Sequence, residues 1–485
     1  MSGGGVVAGI DVGTTKIELD VYDEAGSLVL RSTRANKTLS DGLRAEQDPK
    51  ALLSSVKGLL DEARKAGARC VGIAAYRGSL VVWSREGSPV TNIITWMDLR
   101  PYKLWGRLPL GLRLASRLPR IGQALSPESM AVRLAVLLAE DPSLARGLAE
   151  GSLMAWNIDA YIAYNLTGSY AADSSTAALT GLIHPATLKP INLVFAAARL
   201  PRLRIPRLLP HEGLDPLPLK GGGELGSLVG DQQAASVALD CLESGCLKIA
   251  MGTGLFLDYP TGDRLLLSPG KGLLPLILLR GRNRVIYGVE AYLPGLGKFV
   301  EWFVNSLLNG SYEAIDAGIA ESSGRPPLVL PFMWGSRLPR LRGGLAGILG
   351  LAPHHGRGDL AAGLAHSIAA LTSLLERSLA GILGEPRSII VTGGLTRLRR
   401  LLELVATYLE RPIYLARTPG SASALGAAML AARNCGVQFN PNVEVVRVDP
   451  GSYNKAVDPE IIAGSALKLS SALVGCTSSA SRQSW

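Results

Sequence analysis

Along the opening of the chain, the spacing of apolar positions changes period twice. Residues 6–11 form an apolar run ending in Asp11; beyond Gly13-Thr14-Thr15, Ile17, Leu19 and Val21 alternate with Glu18, Asp20 and Tyr22. An apolar run entering a tight turn and a period of two leaving it predict a β-hairpin. Another β-like stretch follows at 27–32. Over 49–66 the period becomes helical, with Leu52, Leu53, Val56, Leu59, Leu60 and Ala63 on one face, and 70–75 reads as a buried strand. Strands, a helix and a further strand in that order predict an α/β domain.

Helix-like segments dominate 130–166, and 185–223 is rich in Pro, Leu, Arg and Gly, so Gly221-Gly222-Gly223 is the expected linker. A second α/β pattern then begins. A turn and helix start at Gly230, strands fall near 247–251, 256–259 and 284–289, and helices cover 295–308 and 360–383. A strand at 388–392 enters Gly393-Gly394. The expected division is therefore 1–223, 224–448 and a loose, Ser-rich tail over 449–485. No short repeat runs through the chain, so a solenoid is not expected.

The length of 485 residues suits two large domains or three smaller ones, and 47% hydrophobic with 19% charged residues suits a packed globular protein. A formal charge of +10 favours anionic ligands. With only 5% aromatics there are too few stacking platforms to suggest a nucleic-acid partner. No uncharged apolar run reaches the ~18 residues that cross a bilayer, and the start lacks a basic leader segment. No membrane association and a cytoplasmic location are expected. Five cysteines without a CxxC pair suggest neither a disulfide scaffold nor a zinc site.

Three glycine-bearing turns at strand ends carry the candidate chemistry. Asp11-Val-Gly13-Thr14-Thr15-Lys16 gathers backbone N–H groups and two hydroxyls around a turn, which suits phosphate oxygens, and Asp11 beside them suits Mg²⁺. Gly252-Thr253-Gly254 closes another strand pair, downstream of Gly230-Asp231-Gln232-Gln233-Ala234-Ala235. Asp231, before Ala-rich sequence, also suits a helix N-cap. Val391-Thr392-Gly393-Gly394 lacks a Cβ at two positions and would let a flat base approach the backbone. Neither a Walker A sequence nor a GxGxxG turn occupies these sites.

Taken in order, these motifs, with Ile94-Thr-Trp96-Met-Asp98-Leu-Arg100 and the late Ser423-Ala-Leu-Gly-Ala-Ala-Met-Leu-Ala-Ala432, resemble the FGGY carbohydrate kinases over roughly residues 6–435. The wording around Asp231 is most similar to the glycerol kinases within that family. The resemblance implies an α/β fold of two actin-like, ribonuclease-H-like domains around a central cleft, with nucleotide held mainly by the second and acceptor by the first. It implies Asp231 as general base with Gln232 beside it, and Arg77, Trp96 and Asp98 at the substrate. Gly13, Thr14, Thr15 and Lys16 match the first phosphate loop, and Gly252 and Thr253 the second. Gly297, Glu301, Gly393 and Gly394 fall on the nucleotide side. ATP and Mg²⁺ are the implied cofactors, a small polyol or sugar the implied partner, and a homodimer an open expectation.

Departures from the family's wording narrow the substrate. Gly78 stands where glycerol kinases carry Glu after the arginine, which removes two hydroxyl acceptors, and Ala75 replaces a polar residue. The segment is also similar to a xylulokinase arrangement with Arg77 in the His position. Leu398 and Glu301 replace Asn and Gln on the nucleotide side. The sequence thus predicts ATP-dependent phosphorylation of a small polyol or sugar, glycerol-kinase-like. The alternatives are a kinase for a ketose such as xylulose or ribulose, a non-catalytic sugar-sensing relative, or an actin-like ATP-binding module.

Overall fold

The computed structural model describes residues 5–480 apart from 119–124, 268–269, 271, 323 and 342–343, with side chains to residue 472. Two twisted sheets, one per lobe, organise the chain. The first holds, in order, Leu217–Pro218, Glu224–Gly230, Cys70–Ala75, Val7–Val12, Lys16–Tyr22 and Leu28–Ala35. Val7–Val12 pairs antiparallel with Lys16–Tyr22, Asp11 opposite Glu18, and parallel with Cys70–Ala75. The second holds Leu274–Arg280, Val285–Leu293, Leu255–Gly262, Cys246–Met251, Ser388–Thr392, Ile413–Arg417 and Glu444–Val448. Each sheet is an antiparallel meander to which parallel strands are added, so the second repeats the plan of the first.

The predicted hairpin forms, with Ile17, Leu19 and Val21 fully buried. Its polar face is also covered. Asp20 is buried, and it accepts from Arg31 Nε at 2.7 Å and from the Ser421 N–H at 2.8 Å. The predicted amphipathic helix is Pro49–Lys65, capped by the Asp48 side chain on the Lys50 and Ala51 N–H groups and burying the predicted stripe.

Three expectations change. Gly221-Gly222-Gly223 is a hairpin turn, not a linker: Leu219 N–H donates to Gly223 O at 2.9 Å, all three φ values are positive, and Glu224–Gly230 continues the first sheet. Within the described residues, the segment after Val448 is not loose. Pro459–Ala480 is a helix whose Ile462 and Ala466 are buried against the helix Arg357–Leu383, because an i, i+4 apolar pair was hidden by serine content. The cysteines do form disulfides, Cys70–Cys435 and Cys241–Cys246. The first joins residues 365 apart, a pairing that only folding reveals. Cys476 lies outside the described side chains.

Arg357–Leu383 is long and apolar enough to cross a membrane, but 83% of its apolar window is buried within the second lobe. The helix Ala422–Cys435 closes the structure between the lobes, lying on the first sheet and against the helix Asp231–Ala238.

Candidate active site

A cleft of about 1430 Å³ lies where the three glycine turns meet. In the first turn, Gly13 N–H donates to Lys16 O at 3.0 Å. The turn's carbonyls are tied back into the lobe: Asn36 Nδ2 donates to Gly13 O at 2.8 Å, and Gln47 Nε2 to Thr14 O at 2.7 Å. With its acceptors occupied, the loop offers the cleft Thr14, Thr15 and backbone N–H groups, a lining suited to anionic oxygens. Lys16 lines it too, its ammonium 2.7 Å from Glu18.

The second turn is fixed by close approach. Gly297 N–H donates to Thr253 O at 3.0 Å, and a Cβ on Gly297 would stand 2.1 Å from Gly252 O. Only glycine lets the helix Leu296–Leu307 begin there. On the same helix, Glu301 reaches the cleft and pairs with Lys298 at 2.8 Å. Gly393 takes φ +105° against Met251, while Gly394 faces open space. Leu398 is buried in the second lobe's core, and Arg397 beside it lies 4.3 Å from the Tyr312 ring centroid.

Asp231 opens the helix Asp231–Ala238 at the end of the strand Glu224–Gly230. It is the first helical residue and Gly230 is the N-cap, so its carboxylate is not used as the cap; Oδ1 accepts from the Gln232 N–H at 2.8 Å. Gln232 is held by the buried Lys248, which donates to its carbonyl at 2.6 Å. The Gly230 N–H donates to Asp173, whose other oxygen meets His211 at 2.6 Å, so the base of this turn is anchored in the first lobe.

Behind Asp231 a smaller cavity of about 130 Å³ opens, lined by Arg77, Trp96, Phe256 and Glu290 among others. Arg77 Nε lies 3.5 Å from Asp231 and Nη2 2.6 Å from Glu290, with its guanidinium 5.6 Å from the Phe256 ring centroid. Burial raises the Glu290 carboxyl, Arg77 opposes that rise, and Asp258 adds to it, leaving Glu290 above the usual carboxylate range. Gly78 sits at φ +71°, a Cβ there 3.3 Å from Trp96, so the carboxylate beside Arg77 comes from Glu290 instead.

One expected substrate residue lies elsewhere. Asp98 borders neither cavity; it is buried and accepts from Arg100 and from the Ala45 N–H, supporting the segment that carries Trp96. Sequence reasoning missed Asn36, Gln47, Phe256 and Glu290. The last lies within the segment Glu290-Ala-Tyr-Leu-Pro-Gly-Leu-Gly297 that yields Gly297, and a carboxylate in a strand-like run was the available signal.

Residues 6–213 match the N-terminal domain of the FGGY family of carbohydrate kinases, and residues 247–435 match its C-terminal domain. The chain belongs to that family. A glycerol kinase of Chelativorans sp. (strain BNC1) is 28% identical over 462 residues, covering 89% of this chain and 90% of that protein. One from Gloeobacter violaceus is 29% identical, covering 84% of each. Among solved structures, glycerol kinase of Plasmodium falciparum with ADP shares the fold at TM-score 0.76 and 20% identity, covering 91% of this chain and 94% of that one. The ligand-bound xylulose kinase of Lactobacillus acidophilus does so at 0.78 and 18%, covering 97% and 98%.

A carbohydrate kinase of this family moves the γ-phosphoryl group of ATP to a hydroxyl, and the residues around Asp11 suit the divalent cation such a reaction uses. Burial, and then the neighbouring Asp231 carboxylate, push Asp11 up to about 7, although Ser421 donates to it at 2.8 Å. Two carboxylates, Asp11 and Asp231, border the cleft beside turns that suit phosphate oxygens, a setting that fits a magnesium ion completed by phosphate oxygens and water.

Proposed function

We propose that the protein transfers the γ-phosphoryl group of ATP to a hydroxyl of a small polyol or sugar, with Asp231 as general base. The observation that carries this reading is that Asp231 borders both cavities, the large cleft with the three turns and the small one with Arg77. An acceptor in the small cavity and a triphosphate in the cleft would meet at its carboxylate.

The acceptor oxygen forms a bond to the γ-phosphorus as the bond from phosphorus to the β–γ bridging oxygen breaks. Its proton passes to Asp231, and ADP leaves with the bridging oxygen. Positioning does most of this work. Arg77 and Trp96 orient the acceptor, and Gln232, held by Lys248, fixes the head of the helix. The turns at Gly13–Lys16 and Gly252–Thr253 restrain the phosphates, while Gly297, Glu301, Gly393 and Gly394 flank the base and ribose. Asp11 would hold Mg²⁺, which would neutralise phosphate charge.

The relatives are named glycerol kinases, which places glycerol in the test panel beside erythritol, xylulose and ribulose. Acceptor-dependent ADP release with Mg²⁺ is the expected result; folded protein inert toward the whole panel would overturn the reading. A cytoplasmic location and a homodimer complete it, the latter decided by light scattering. Disulfides are uncommon in that compartment outside heat-adapted proteins, so thermal stability is where their role should appear.

A further inference from the structure

The formal charge of +10 is not spread evenly over the molecule. Residues 99–118 and 174–211 hold ten Lys and Arg and no Asp or Glu, so the rest of the chain balances to zero. The fold brings these two segments together in the first lobe, where the helix Leu110–Ala115 packs on the helix Asn192–Ala197. A cavity of about 1190 Å³ opens beside them and shares no lining residue with the cleft or with the pocket behind Asp231. Arg85, Arg199, Arg202 and Arg204 line it, against the single carboxylate of Glu150. Two of these arginines are set in place: Arg85 Nε donates to Gly151 O at 2.6 Å, and the Arg204 guanidinium carbon lies 6.0 Å from the Tyr170 ring centroid. Among the described residues none of the four forms an ion pair. The same two helices carry leucines at the surface. Leu110 is 60% exposed, Leu114 54% and Leu193 50%. Leu110 and Leu114 stand one turn apart on one face. The helices meet where a Cβ on Gly111 would stand 3.3 Å from Ala197 O, which sets Leu193, one turn earlier on its helix, near that pair.

We propose that this face docks on an anionic lipid leaflet, its arginines on headgroup phosphates and its leucines in the boundary of the acyl layer. The two halves of the observation need one occupant that answers both. Unpaired guanidiniums suit phosphate oxygens, which they bind in a planar fork, and exposed leucines grouped on one side of a lobe call for an apolar partner. A soluble polyanion would engage the arginines and leave the leucines in water, and so would a nucleic acid backbone. A second copy of the chain would set one acid-free face against another, with like charges opposed. An anionic leaflet supplies both the negative surface and the apolar layer beneath it. The lack of an apolar run of spanning length bears on crossing a bilayer and not on lying at its surface. Because the face shares no lining residue with the cleft or the acceptor pocket, attachment and phosphoryl transfer are separable.

Co-sedimentation of the full chain with unilamellar vesicles tests this, comparing phosphatidylcholine alone with phosphatidylcholine carrying about 30% phosphatidylglycerol, at low salt and at about 0.5 M. Partitioning is expected to be at least about 10-fold higher on the anionic vesicles and to fall steeply with salt. The triple substitution Arg199→Gln, Arg202→Gln and Arg204→Gln should lower it about 10–100-fold, and Leu110→Ser with Leu114→Ser about 10-fold. Both variants should keep the melting temperature and the solution kinetics of the wild type, since they alter exposed positions away from the cleft. Equal partitioning on the two kinds of vesicle, or none on either, would overturn the inference. An arginine variant that partitions like the wild type would overturn it too. Leucine substitutions without effect, with inorganic tripolyphosphate displacing the protein from vesicles, would assign the arginines to a soluble polyanion and overturn it. Tighter retention on duplex DNA than on anionic vesicles would assign the face to nucleic acid with the same result. Should a variant not fold, the dependence of the wild type on lipid charge and on salt carries the decision.

Discussion

Arg77 links Asp231 to Glu290: its Nε lies 3.5 Å from one carboxylate and its Nη2 2.6 Å from the other. A guanidinium at the end of the first lobe's sheet thus joins the head of the helix Asp231–Ala238 to a buried acid of the second lobe. Removing the base should be more damaging than this pair's modest separation suggests. Asp231→Asn keeps shape and loses the proton acceptor, and is expected to lower kcat by about 10²–10⁴-fold with smaller changes in KM for ATP. Steady-state kinetics check it, and an unaltered kcat would move the base elsewhere.

Arg77→Met removes the partner of both acids and leaves Glu290 buried and unpaired. The acceptor KM is expected to rise about 10–100-fold, with the ATP KM nearly steady because Arg77 does not line the nucleotide cleft. Arg77→Lys should fall between, since an ammonium cannot hold both carboxylates in a planar fork. Equal rises in both KM values would mean that the substitution disturbs the lobes rather than the pocket.

The three turns were legible because each depends on local residues: a strand end, a glycine where no side chain fits, a hydroxyl beside it. The pocket was legible only on the side that the first lobe supplies. Glu290 and Phe256 reach Arg77 from the second lobe, and no spacing in the chain links positions 77, 256 and 290. Asp98 was misplaced for a related reason. A motif places residues near one another without saying which faces outward, and here Trp96 faces the cavities while Asp98 turns in to hold Arg100 and the Ala45 N–H. The Gly221–Gly223 triplet shows the same limit, because three glycines suit a flexible linker and a tight hairpin equally well.

Backbone contact through small residues makes the closing helix a lever on the site. A Cβ at Gly426 would stand 1.8 Å from Ala234 O, at Gly9 1.9 Å from Ala424 O and at Gly72 2.1 Å from Ala427 O. Ser423 Oγ on this helix donates to the Asp231 carbonyl at 3.1 Å. Gly426→Ala is expected to destabilise by about 1–3 kcal/mol and to reduce kcat through displacement of Asp231. Gly464→Ala, with nothing within 4 Å of its Cβ, is the control and should be neutral or slightly stabilising. Calorimetry and kinetics on the two variants would separate packing from a general intolerance of substitution.

The two disulfides should differ in what they contribute. Cys70–Cys435 closes a separation of 365 residues and pins the end of the closing helix to the first sheet, whereas Cys241–Cys246 spans 5. In the loop-entropy account the long one stabilises by about 6 kcal/mol and the short one by about 2 kcal/mol. The melting temperature is expected to fall more in Cys435→Ala than in Cys241→Ala. Equal shifts would place the effect in local packing instead of chain entropy.

Stability should also depend on pH through a buried acid, Asp159, that lines neither cavity. Asp159 accepts from the Asp173 N–H at 2.9 Å and Thr176 Oγ1 at 2.8 Å. Burial, and then the Asp173 carboxylate, push it up to about 7 despite these bonds. Asp173 itself is held below its usual range: burial raises it, but His211 and the hydrogen bonds from Ser175 together outweigh that rise. An unfolded Asp releases its proton near the ordinary value of about 3.9, so between there and about 7 the folded protein carries the extra proton. The stability this supplies is complete at the acid end and is lost as pH rises through about 7, with a slope of up to about 1.4 kcal/mol per pH unit. Asp159→Asn keeps an oxygen for both donors and cannot ionise, so denaturant titrations of the variant should show a flatter decline from about pH 5 to 7 and the larger gain over wild type at pH 8. Parallel curves for the two proteins would show that Asp159 does not hold the proton.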